Sequence, residues 1–168
     1  MWLIALIPFG LQAVAIAFDE AYFHVRRGLP KWERIGHPLD TLSVMICLLF
    51  TLLTPFSYTA LWIYISLSAF SCFLVTKDEF VHKEHCPASE QWLHAVLFTL
   101  HPITLIMAGL FWLVSQNIEL PYGLSEFLCF PFDISLFLKG QLSLMTLFFL
   151  YQVIFWNFVW KDKEVLKQ

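Results

Sequence analysis

Long apolar segments alternate along this chain with two short polar arms. Residues 2–18, Leu39–Phe56, Tyr58–Thr76, Trp92–Val114 and Gln141–Trp160 are predominantly apolar. Each approaches the roughly 20 residues that carry a helix across about 30 Å of hydrocarbon, with the first at the short end. Pro8 and Gly10 interrupt the first segment, which a membrane helix tolerates. Residues 115–140 mix polar turns with a short apolar piece broken by Pro131 and Asp133, a pattern expected of an interfacial or re-entrant segment. The pattern therefore predicts an all-α polytopic membrane protein of about five transmembrane helices, with spans 1–4 forming a pseudo-twofold four-helix bundle. One domain, 1–168, is expected. It comprises a tandem helix-arm-helix repeat at 1–56 and 57–114, followed by an accessory interfacial segment and a fifth span over 115–160.

Composition supports the membrane reading and narrows the rest. The chain is 59% hydrophobic and 18% aromatic, with a mean hydropathy of +0.70, well outside the range of soluble domains. The N-terminal segment lacks a basic n-region and is expected to be a retained first span, not a signal peptide. Cys47, Cys72, Cys86 and Cys129 show no C-x-x-C pairing, so no disulfide framework is expected. The basic residues neither cluster into a large patch nor alternate with exposed aromatics, which argues against nucleic acid as a partner.

Charge placement says more than the net charge of −3. The first arm carries Arg26, Arg27, Lys31 and Arg34, the second Lys77 and Lys83, and the tail Lys161, Lys163 and Lys167. With five spans, both arms and the C-terminus fall on one side, which the positive-inside rule makes the cytoplasm.

The arms themselves share a plan. Residues 19–40, DEAYFHVRRGLPKWERIGHPLD, and 78–101, DEFVHKEHCPASEQWLHAVLFTLH, each open with an Asp-Glu pair followed by a His. In each, a Pro begins the spacing P-x-x-E-x-x-x-H: Pro30, Glu33, His37 and Pro87, Glu90, His94. All six histidines fall within these two stretches. Residues three, four or seven apart share a helix face. That rule groups Glu20 with His24, Glu33 with His37 and Asp40, Glu90 with His94 and His101, and Asp78 with His82 and His85. Acids and histidines at helix ends also cap termini and face water, but the repeated spacing favours a site with two transition-metal ions. The candidate ligands are Glu20, His24, Glu33, His37, Glu79, His82, His85, Glu90 and His94. Asp40, Asp78 and His101 are candidates to support them, and whether Asp78 or Glu79 supplies the carboxylate stays open. His101 lies two turns inside the fourth span, as a ligand, as a support or simply hydrogen-bonded to Asp40. Asp19 is expected to be an interface charge and Cys86 to be incidental. Carboxylates and imidazoles suit iron, manganese or zinc, and the surplus of carboxylates favours iron.

The arrangement resembles the di-iron carboxylate four-helix bundles, in which two helices each give a Glu and two give an E-x-x-H motif. Glu79 and His82 match that spacing, whereas Glu20/His24, Glu33/His37 and Glu90/His94 are four apart. The richness in histidine is similar to membrane lipid desaturases and hydroxylases, whose H-x-x-H-H boxes are absent here. The resemblance implies a metal-dependent membrane oxidoreductase acting on a lipid-like or hydrophobic substrate at the cytoplasmic face, served by a redox partner. The alternatives are a zinc-dependent membrane hydrolase, in which metal-bound water attacks an ester or amide, and a non-enzymatic metal carrier, store or sensor. The fifth span carries no candidate ligand and is expected to pack outside as support, with an apolar cleft running from the metals into the bundle.

Overall fold

The computed structural model describes residues 2–78 and 86–160, which are helical with no strand among them. Five helices are long and apolar enough to cross a membrane: α1 (Trp2–Arg27), α2 (Glu33–Leu53), α3 (Tyr58–Val75), α4 (Ala88–Ser115) and α6 (Ile134–Val159). A short helix, α5 (Tyr122–Phe127), lies between the last two.

Their ends follow local chemistry. α1 stops at Gly28, whose φ of 75° is open to glycine at little steric cost, and Pro30 keeps the following turn out of helix. The Ser57 hydroxyl accepts the Ala60 N–H at 3.0 Å and caps α3. Asp133 caps α6 by accepting the Ser135 N–H at 2.9 Å. The same Ser135 N–H and hydroxyl hold the Asp133 carboxyl below the usual carboxylate range. That cap corrects one boundary: the fifth long helix begins at Ile134, seven residues before the apolar run at Gln141. Pro131 and Asp133 end the irregular segment there and do not interrupt a buried piece.

Large apolar side chains such as Leu3, Val14, Leu53, Trp62, Phe73, Leu147 and Phe158 face outward from these helices, the reverse of a water-soluble bundle. The core is packed at the end of the bundle away from the arms. It centres on Phe9 of α1, Cys47 of α2, Ala108, Phe111 and Trp112 of α4, and Leu138 of α6. Trp112 closes it by donating its indole N–H to the Thr54 carbonyl at 2.9 Å. Tyr64 of α3 donates to the Leu105 carbonyl at 2.6 Å and lies so close to Gly109 that an added Cβ would meet its ring at 2.7 Å. All four cysteines carry free thiols.

α1 packs along α4 and α2 along α3. The fifth long helix does not stand outside. α6 makes its most extensive contact with α2 and also lies along α4. Its Gln152 and Trp156 are both buried. Among the described residues, the bundle's polar end gathers the C-terminal turns of α1 and α6 and the N-terminal turns of α2 and α4, with Lys77 at the end of α3 bonded to Asp40 of α2.

Candidate metal centre

The last turns of α1 are wound as a π-helix from Asp19 to His24. In that winding the hydrogen bonds run from i to i+5, so residues five apart come together. Asp19 Oδ2 accordingly stands 3.2 Å from His24 Nε2. The i, i+4 pair forms as well: His24 Nδ1 and Glu20 Oε2 are 2.8 Å apart. Trp156 of α6 donates its indole N–H to the other Glu20 oxygen. In the tautomer whose Nδ1–H donates to Glu20, His24 Nε2 is left as a lone pair. A carboxylate behind the ring that fixes the tautomer is the usual support of a metal-binding histidine.

The repeated P-x-x-E-x-x-x-H segments start α2 and α4, which puts Glu33 and Glu90 in their first turns. A carboxylate is favoured there by the positive end of the helix dipole. Both side chains are fully buried, at 0% exposure, and meet at Arg27. Its Nη2 donates to Glu33 Oε2 at 2.7 Å and to Glu90 Oε1 at 2.9 Å. Its Nε lies 3.0 and 3.3 Å from the two Glu90 oxygens. One turn further on, His37 and His94 flank His24, with ring centroids 4.9 and 6.5 Å from it. His94 Nε2 is 3.0 Å from Asp19 Oδ2, and His37 Nε2 is 3.7 Å from Glu33 Oε2.

Two sets of side chains bring ligand atoms close enough to share an ion. Asp19, His24, Glu90 and His94 form one, all four buried; His24, Glu33 and His37 form the other. At the first set, Asp19 Oδ1 and His24 Nε2 are buried with no hydrogen-bond partner. Orphaned polar atoms of this kind are rare in folded proteins and call for an explanation. Their donor chemistry, oxygen and imidazole nitrogen without thiolate, fits a first-row transition metal. Cys86 is buried near the cluster, and burial pushes its thiol up to about 12, so it remains protonated near neutrality.

Below the cluster a cavity of about 110 Å³ extends toward the bundle interior, room for several water molecules or the end of an alkyl chain. Ile16, Val44, Leu97, Phe98, Met145 and Phe148 line it, with Gln12, Thr41, His101 and Gln152 as polar groups on its wall. Thr41 donates to Gln152 Oε1 at 2.7 Å, tying α2 to α6. His101 Nε2 lies 3.0 Å from the Ser71 hydroxyl, which in turn is 2.7 Å from the Ser43 hydroxyl. Gln12 is 3.5 Å from the other His101 ring nitrogen. The cavity is thus lined by apolar side chains of the spans, as a cleft of the expected kind would be, with those polar groups among them.

The structure brings together Glu20, His24, Glu33, His37, Glu90 and His94, as the spacing anticipates. Four readings change. Asp19 is not an interface charge: it is buried between His24 and His94, because π winding turns it onto the ligand face. Glu20 lies behind His24, held by Trp156, and belongs to neither set of convergent ligand atoms. Arg27, which positive-inside topology alone would explain, bridges Glu33 and Glu90. Asp40 accepts from Lys77 Nζ at 2.6 and 2.7 Å, so His101 takes Ser71 as its partner instead. Glu79, His82 and His85, and the side chain of Asp78, lie outside the described residues. Trp156 and Gln152 carry no signal in a search for ligand types.

The chain matches no family model, no curated protein and no solved structure.

Proposed function

We propose that this chain is a multi-pass integral membrane metalloprotein that uses a transition metal at the arm end of its bundle to oxidise a hydrophobic or lipid-like substrate. The observation that carries the reading is the convergence of Asp19, His24, Glu90 and His94 from α1 and α4, all buried, with ligand atoms close enough to share an ion. Iron is favoured by the oxygen-rich donor set, with manganese and zinc as alternatives. When bound, the metal would supply redox chemistry, and a redox partner would supply electrons from the cytoplasmic side. The chain's own residues do the rest. Glu20 and Trp156 hold the His24 ring, Arg27 holds Glu90, and the cavity wall offers an apolar group a place beside the ligands while His101 and Gln152 meet its polar end.

An enzyme is favoured over a transporter by where the polar lining stops. Past His101 the interior closes on Leu105, Ala108, Phe111 and Trp112, all buried apolar side chains. The buried polar groups there are neutral ones such as Thr51, Tyr64 and Thr104, with no buried charge among the described residues past His101.

The test is elemental analysis of protein purified without chelator, with its visible spectrum. A transition metal is expected, with Asp19→Asn and His94→Ala each reducing it at least tenfold and Cys86→Ala leaving it unchanged. Metal-free protein that takes up no iron, manganese or zinc would overturn the reading.

A further inference from the structure

Arg27 stands where the repeat leads one to look for a second metal. Glu33 and Glu90 are the matched carboxylates of the two P-x-x-E-x-x-x-H segments, each from the first turn of its helix and each fully buried. In a symmetric two-metal site this pair would bridge the ions, with metal–oxygen distances of about 2.0–2.2 Å. The point that lies between their facing oxygens is occupied by a guanidinium nitrogen, 2.7 Å from Glu33 Oε2 and 2.9 Å from Glu90 Oε1. An ion bridging those two oxygens would overlap that nitrogen. The guanidinium is planar, permanently charged and shaped to hold carboxylates in a fork. It is anchored from behind as well, with Nη1 donating to the Gly28 carbonyl at 3.1 Å.

The other side of the centre is different. Among the described residues no arginine or lysine bonds to Asp19 or His24, and Asp19 Oδ1 and His24 Nε2 are buried without a hydrogen-bond partner. Glu90 faces both sides, its Oε1 standing 3.7 Å from His24 Nε2.

Resting on the metal reading above, we propose that Arg27 serves as the built-in cation of the second position: by holding Glu33 Oε2, the oxygen that faces His37, it takes the place of an ion shared by His24, Glu33 and His37, so that the described residues enclose one metal ion on Asp19, His24, Glu90 and His94 and one guanidinium on Glu33 and Glu90. The sequence repeat then builds two cation positions of unequal kind. The ligand of the open one is a divalent first-row transition metal. Glu33 is a positioning residue: it holds Arg27, which orients Glu90 toward the metal.

Loading the full chain with Mn²⁺ in detergent and recording its paramagnetic resonance spectrum tests this. The wild type is expected to show a magnetically isolated ion at the centre. Glu33→Gln should still bind one magnetically isolated ion, weakened because Arg27 no longer holds Glu90 in place, but by less than the tenfold or more lost in Asp19→Asn. Arg27→Gln leaves two buried carboxylates facing each other and should admit a further Mn²⁺, seen as a spin-coupled pair. A spin-coupled pair in the wild type, lost in Glu33→Gln, would overturn the assignment while leaving the metalloprotein reading intact. Failure of the wild type to bind any ion would remove both. The wild-type spectrum decides the question even if Arg27→Gln does not fold.

Discussion

Trp156 shows how a residue without metal-binding chemistry can set the behaviour of one that has it. Its indole N–H goes to Glu20, and Glu20 takes the His24 Nδ1 proton. Removing a hydrogen-bonding partner behind a ligand typically lowers metal affinity 10–100-fold. Trp156→Phe, which keeps an aromatic ring but no donor, is expected to weaken metal binding by about that factor in a competition titration. Trp160→Phe is the control. Its ring lies tilted against Trp156 with centroids 4.8 Å apart, and its indole N–H bonds to no residue of the cluster, so affinity should stay at the wild-type value. Equal losses in both variants would mean that packing, not the hydrogen bond, supports the ring. At this scale, much of the site was legible. Glu33, His37, Glu90 and His94 were marked by repetition, though the spacing could not show that Glu33, Glu90 and His94 are buried and His37 only partly so. Asp19 was not, because its pairing with His24 depends on a local change of helical winding that spacing rules for an α-helix do not contain.

Among the helices, the seam between α2 and α6 carries a polar contact inside an apolar interface. Thr41 and Gln152 are both buried and hydrogen-bonded to each other at 2.7 Å. Removing one member strands the other, which costs about 1–3 kcal/mol, whereas replacing both by apolar groups of similar shape is nearly neutral. Thr41→Val alone should therefore destabilise the bundle by roughly that amount, and Thr41→Val with Gln152→Leu should recover most of it. Reversible unfolding in mixed micelles would measure the cycle; strictly additive losses would show that the bond does not join the two helices. The apolar runs predicted five long helices, and five are present. Their partners were less legible. α6 lacks ligand residues, and in a chain whose outer surface is as apolar as its core, hydrophobicity no longer tells the inward face from the outward one. Small polar groups such as Thr41, Ser43, Ser71 and Gln152 mark the inward faces instead.

Taken as a whole, the molecule has a polar end and an apolar end, and the polar end gathers the C-terminal turns of α1 and α6 with the N-terminal turns of α2 and α4. Both arms and the C-terminus are therefore predicted to share one side of the membrane. The cytoplasmic side is favoured by Arg26, Lys31, Arg34 and the tail lysines, although Arg27 is committed to Glu33 and Glu90. A reporter fused after Gln168 and a second one inserted after Lys31 should both read cytoplasmic; opposite answers would break the five-span topology. By itself, the sequence determined the helical class, the five apolar segments, the two arms and the matched Glu and His of each, because hydropathy and spacing are properties of neighbouring residues along the chain. Only the tertiary structure decided that Asp19 is a ligand candidate, that Arg27 sits between the paired glutamates, and that α6 supports His24 through Trp156. Each of these depends on groups up to 136 positions apart meeting in a buried space, where an unpaired charge or donor is expensive enough to select its partner.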